Sequence, residues 1–259
     1  MSLRHRTLPA AALLCTAALM TGCGTTLADS ARQTDDKAAA PAGEGRDTDR
    51  MAPLFARDRT ARADAIPGLG PRTRAQIPDG TRQALVVTGE GRDEDASSVA
   101  LYVRDTERGW QRTAGPWHAH NALRGWTDDH RQGDLRSPIG VYGLTDAGGL
   151  LPDPGTRLPY DRGPLFSISG RGFEGEPLEG SFDHVVAINY NREPGTSPLD
   201  GARPLGEEKG GGIWIHVDHG GPTQGCVSLS LDHMKQLLRA LNPQLRPVVV
   251  MGDTGSLAR

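Results

Sequence analysis

Short apolar runs alternate with polar residues along the last two thirds of the chain, and Gly and Pro separate them. "RQALVVTG" is a β-rich run that ends in Gly89, and "VALYVRD" alternates. A period of two places successive side chains on opposite faces, so these runs predict strands. A turn at "TERG" leads to "WQRT", which predicts a hairpin. "PIGVYGL", "LFSIS", "HVVAINY", "GIWIHV" and "RPVVVM" predict five further strands. Only one run keeps helical spacing. Met234, Leu237, Leu238 and Leu241 predict a helix over 231–241 with one buried face. Ser230 supplies its N-cap, Asp232 sits in its first turn, and Pro243 stops it. Many short strands and one late helix predict a mainly β fold, sandwich- or barrel-like, over residues 81–253, with 254–259 as a tail.

The first third reads differently. Residues 24–79 are rich in Ala, Arg, Asp, Gly and Pro, and Phe55 is their only aromatic. Such a composition buries too little apolar area to offset ordering entropy, so residues 23–80 are expected to form a mostly disordered tether. Short helices at 28–40 and 54–65 are the weaker alternative. The chain begins with basic Arg4, His5 and Arg6, then an apolar run over 7–20 too short to span a bilayer. This is the layout of a secretory signal peptide. The run ends in "LMTGC", which resembles the lipobox of bacterial lipoproteins, with Met20 where that pattern prefers Leu. The resemblance implies a signal peptide over 1–22, lipid on Cys23, and a place at the outer face of the membrane. Cleavage near Ala28 would instead release a soluble secreted protein.

Cysteine use sharpens the picture. Cys15 leaves with the signal peptide and Cys23 is the lipidation candidate, so Cys226 stays alone in an exported chain. A net charge of -3 offers no field for nucleic acid. A monomer is expected.

Cys226 lies in "IWIHVDHGGPTQGCVSLSL". On the strand, Ile213, Ile215 and Val217 take one face, and Trp214 and His216 the other. A thiol reacts as the thiolate, which needs a base, and His216 is the candidate. Gly225 permits a tight turn, and the N–H groups of Gln224, Gly225 and Cys226 are candidates for an oxyanion hole. Against this stands a small buried cysteine of no consequence. His219 follows His216 by three residues, a spacing that does not aim both rings at one ion. Neither metal nor cofactor is expected. His219 is a rim residue or a substrate contact. Tyr190 and Asn191 line the cleft or simply form a strand-end turn. His118, His120 and His130, with Trp117 and Trp126, form a loop over the cleft or ordinary loop packing. Asp128, Asp129 and Asp134 are expected in solvent, and "GEEKGGG" is a lid or a linker.

The block from His216 through Thr223, Gly225 and Cys226 resembles the active-site block of the YkuD-type L,D-transpeptidases, in the branch with a short His-to-Cys loop. "GDLRSPIGVYGL" resembles that family's Thr-Pro-x-Gly strand, with Ser137 for Thr. The likeness covers about residues 66–253. Two positions depart from it: Gln224 replaces a His, and Ser228 stands where Arg or Asn is usual. The resemblance implies that Cys226 attacks a peptidoglycan stem tetrapeptide after its third residue and forms a thioester. His216 would be the base, oriented by the carbonyl of Val217 or Asp218. Trp214, Thr223, Ser228, His219, Tyr190 and Asn191 are the candidate substrate contacts. An amine acceptor gives a transpeptidase, and water gives an L,D-carboxypeptidase. A wall-binding lipoprotein that has lost turnover is the non-enzymatic alternative.

Overall fold

A computed structural model describes residues 63–259. The signal peptide, Cys23, the helix expected at 28–40 and nearly all of the tether lie outside the described residues. Among those described, the strands are β1 (Gln83–Gly89), β2 (Ala96–Asp105), β3 (Gly109–His120), β4 (Trp126–Thr127), β5 (Ser137–Pro138) and β6 (Gly140–Gly143). They continue with β7 (Ala147–Gly149), β8 (Tyr160–Arg162), β9 (Val185–Ala187), β10 (Trp214–Val217), β11 (Val227–Leu229) and β12 (Val248–Asp253). The α-helices are α1 (Pro71–Arg74), α2 (Leu231–Ala240) and α3 (Thr254–Leu257).

Ten strands form one curled sheet in the order β6-β12-β1-β2-β3-β11-β10-β9-β7-β8, and β4 pairs with β5 apart from it. The expected mainly β fold is therefore present. Alternation along β1 divides the interior. Leu85 and Val87 enter the main core with Val99, Leu101, Ile215, Val217 and Leu229. Ala84 and Val86 face a second core with Trp110, Val248 and Val250. Helix α2 closes the main core with Met234, Leu237 and Leu238, the stripe its spacing predicts. Ser230 caps it, its hydroxyl accepting from His233 N–H at 3.3 Å.

Several expectations need correction. Order does not begin at Thr81. Ile66 and Leu69 are buried in the second core, and the backbone of Gly70 and Arg72 donates to Leu257 and Arg259. Two apolar side chains suffice to anchor a stretch whose average composition is polar. Residues 254–259 are not a tail for the same reason: Leu257 is buried there, and Asp253 caps α3. "PWHAH" is no loop but the end of β3, paired with β2 out to Ala96 opposite His120. A bulge opposite Val99 to Leu101 accommodates Gly115 and Pro116, which disguised the strand. "LFSIS" is not a strand: Leu165 is 76 % exposed beside buried Phe166, and no neighbouring strand pairs with it. The return after Cys226 is itself a strand, β11, parallel to β10.

Candidate active site

The register of β10 and β11 sets the site. Ile215 is opposite Val227 and His216 opposite Ser228. Ile215, Val217, Val227 and Leu229 fill the main core. The other face of the two strands therefore carries Trp214 and His216 on one, and Cys226 and Ser228 at or beside the other. Trp214 packs with Phe166, Val185 and Ala187, and Cys226 lies against that cluster. The parallel pairing needs a crossover, and residues 218–226 supply it as a loop rather than a helix.

Cys226 is the free cysteine of the described residues. Its sulfur receives the Trp214 N–H at 3.3 Å and approaches the Gly212 carbonyl at 3.7 Å. Cys226 is only half-buried, but withdrawal from water within the cleft pushes the thiol up to about 11, against the pull of the Trp214 N–H. His216 is 3 % exposed, with Nδ1 2.8 Å from the Val217 carbonyl. A carbonyl can only accept, so Nδ1 carries the proton and Nε2 is left free to take one. Burial holds the imidazole down at about 4, with His219 adding to the effect and the Val217 carbonyl opposing it. At neutral pH the resting site thus holds a neutral thiol and a neutral imidazole. Both side chains line one cleft of about 250 Å³.

The turn before Cys226 is locked from two sides. Thr223 Oγ1 donates to the Cys226 carbonyl at 2.7 Å, and Ser137 Oγ donates to the same oxygen at 3.3 Å. The Gly225 N–H donates to Thr223 Oγ1 at 3.3 Å, so it is engaged and not free for an oxyanion. A Cβ at Gly225 would come within 2.9 Å of Ile213 Cδ1, which explains the glycine by close packing. Gln224 lines the cleft, and it is the remaining oxyanion candidate of that pair.

The other candidates divide. Thr223 and His219 line the cleft with Cys226 and His216. Ser228 is fully buried and donates to Asp218 Oδ1 at 2.6 Å, where it meets no ligand. The same Asp218 oxygen holds His120 Nδ1 at 2.8 Å. Burial would raise Asp218, but the bonds from His120 and Ser228 bring it down to about 2. The Trp214 side chain is buried against Phe166 and Phe182 and does not line the cleft, so it packs behind Cys226 and is not a substrate contact.

Tyr190 and Asn191 do not line the cleft. The Tyr190 hydroxyl donates to the Lys209 carbonyl at 2.9 Å. Asn191 adopts a left-handed φ of 44° and receives the Leu205 N–H at 2.7 Å. The strand-end turn is thus the structure's answer for both. Next to them Arg192 and Asp146, each 3 % exposed, form an ion pair at 2.8 Å. "GEEKGGG" is bound down rather than poised as a lid: Glu208 accepts from Gln132 N–H, and Lys209 pairs with Asp129. Asp129 is exposed as expected, and it pairs with Lys209 at the surface. His130 is buried 3.0 Å from Asp134, stacks edge-on with Tyr190 and packs behind Gly225, and it does not line the cleft.

Sequence reasoning missed the opposite wall. Ile168, Arg171, Phe173, Leu178 and Phe182 come from residues 163–182 and face the thiol across the cleft. Glycines alternate with bulky residues in "GRGFEGEPLEG", the one local sign of a loop built to fold over something. Among the described residues, no three of His, Cys, Asp and Glu converge in a way that would hold a metal ion.

The family model described as the L,D-transpeptidase (YkuD) catalytic domain matches residues 80–250. No curated protein and no solved structure matches the chain.

Proposed function

Because the chain belongs to the YkuD family of L,D-transpeptidase catalytic domains, we propose that it is a cysteine acyltransferase of the cell envelope acting on peptidoglycan stem peptides. The observation that carries this is the arrival of Cys226 and His216 in one cleft from adjacent parallel strands. Cys226 Sγ attacks the carbonyl of the third residue of a stem tetrapeptide while His216 Nε2 takes the thiol proton. The C–N bond to the terminal D-Ala breaks, and the leaving amine takes that proton from His216. A thioester remains on Cys226. An acceptor amine then attacks it, loses its proton to His216, and forms the new amide as the thiol is restored. Water in place of the amine would give a carboxypeptidase.

Folded protein incubated with a stem tetrapeptide and an acceptor amine is expected to show an acyl adduct by mass spectrometry, together with joined product. Both are expected to vanish in Cys226→Ala. A trimmed tripeptide without joined product would select the hydrolytic reading. No adduct with any stem tetrapeptide, on a protein whose thiol is free, would remove the enzymatic reading in favour of wall binding.

Export as a lipoprotein is proposed from "LMTGC" and the apolar run before it. In that case Cys23→Ala, expressed in a bacterial host, moves from the membrane fraction to the soluble one. Retention in the membrane fraction would count against a lipid on Cys23.

A further inference from the structure

Two loops wall the cleft, and one polar contact joins them. His219 belongs to the loop between β10 and β11, and Glu176 to the opposite wall. His219 Nδ1 lies 3.1 Å from Glu176 Oε1, and the two side chains are 6 % and 11 % exposed. The His219 ring is stacked on His216, with centroids 5.7 Å apart and planes 13° from parallel. Phe182 closes the other approach to His216 edge-on at 5.6 Å. Glu176 is itself fixed, because its Oε2 receives the Glu174 N–H at 2.8 Å. Its carboxylate sits between Gly172 and Gly221, and a Cβ at either would collide with it. Both walls are thus shaped around this one carboxylate.

We propose that His219, held by Glu176, is the positioning residue of His216: it fixes the plane of the base's ring and places a titratable pair, rather than an apolar side chain, against it. This rests on His216 being the base of the acyltransfer reading. A stacked ring has little freedom to tilt, and Nδ1 is already tied to Val217, so Nε2 keeps one direction. The two members of the pair act on His216 with opposite sign. His219 works to hold His216 in its neutral form, behind the larger effect of burial. A carboxylate at Glu176 favours a proton on His216 by simple attraction. The other charged or titratable groups around these rings are Arg171 and Cys226 in the cleft, Asp218 beside His219, and Glu174 on the Glu176 loop. His120 lies behind Asp218.

The test reads His216 directly. Ring C–H resonances of the full chain are followed by NMR against pH, with His216→Asn identifying the signal. In His219→Asn the His216 midpoint is expected to rise by about half a pH unit or more, and in Glu176→Gln to fall by a similar amount. A clamp with only a packing role would lower activity in both variants without opposite movements. If His219→Asn melts markedly lower than the parent, His219→Gln takes its place. Opposite movements support the assignment. Any other pattern, including no movement or movement the same way in both, overturns it. No substrate enters these titrations, so a wrong donor would show in the adduct experiment and not here.

Discussion

His216→Asn is expected to slow acylation of Cys226 by about 10²- to 10⁴-fold, the usual worth of a positioned general base. The reason lies in the protonation of the two groups. The thiol is pushed up to about 11 and has little thiolate of its own at neutral pH. Asparagine fills similar space and can keep a donor toward the Val217 carbonyl, but it cannot take a proton. The pH profile carries the same information. His216 must be neutral to act, and burial holds it at about 4. Activity is therefore expected to stay level well below the pH where an ordinary histidine becomes charged. It should fall only as the pH drops toward 4, and His216→Asn should lose that acid limb. Initial rates of adduct formation from pH 4 to 8 would decide it. A loss under tenfold, in a variant that melts like the parent, would remove His216 from the role of base.

Arg192→Ala is expected to destabilise the fold by about 3–5 kcal/mol, because it leaves a buried carboxylate without its cation. Asp146 would keep only the Thr145 hydroxyl and the Gly195 N–H. Arg192 also ties Asn189 and the Thr196 carbonyl, so the segment after β9 loosens with it. For a domain of this size the melting temperature should fall by about 10 °C. Burial works against ionisation of Asp146, but its bonds from Thr145, Arg192 and Gly195 win and hold the carboxyl low. The stabilisation is thus full above the ordinary carboxylate range and is lost as the pH falls below it. Urea melts of the variant at pH 7 and pH 3 should therefore lie closer to the parent at the lower pH. A loss below 1 kcal/mol at pH 7 would mean that the pair contributes specificity of packing and little stability.

What the sequence disclosed follows from range. β2 and β10 are visible because period two shows within one short run, β1 and β12 because each is a short β-branched apolar run, and α2 because four apolar residues keep helical spacing. Cys226 and His216 are visible because they are near in sequence and the strand fixes which way each points. Glu176 is not: it meets His219 from 43 residues away, and nothing local marks the meeting. Ile66 and Leu69 were lost in an average, since two anchors barely alter the composition of a polar stretch. Asn191 and Tyr190 stand near the right sheet but turn to the loop that follows, under the left-handed backbone at 191. Ser228 and Thr223 lie next to the nucleophile in sequence, yet their hydroxyls serve the backbone and Asp218.

The position of β12 bears on when the sheet is completed. It lies between β1 and β6, and Ala84 pairs with Val248 across most of the described chain. Loop closure over such separations is slow, so the joining of β12 to β1, next to one end of the sheet, is a late event in folding. Until the walls of the cleft are in place, the burial that makes the Cys226 thiol so weak an acid is also missing. The nascent protein therefore carries its sulfur as an ordinary, oxidisable thiol. The finished protein keeps that sulfur in reserve, protonated, until a donor enters the cleft.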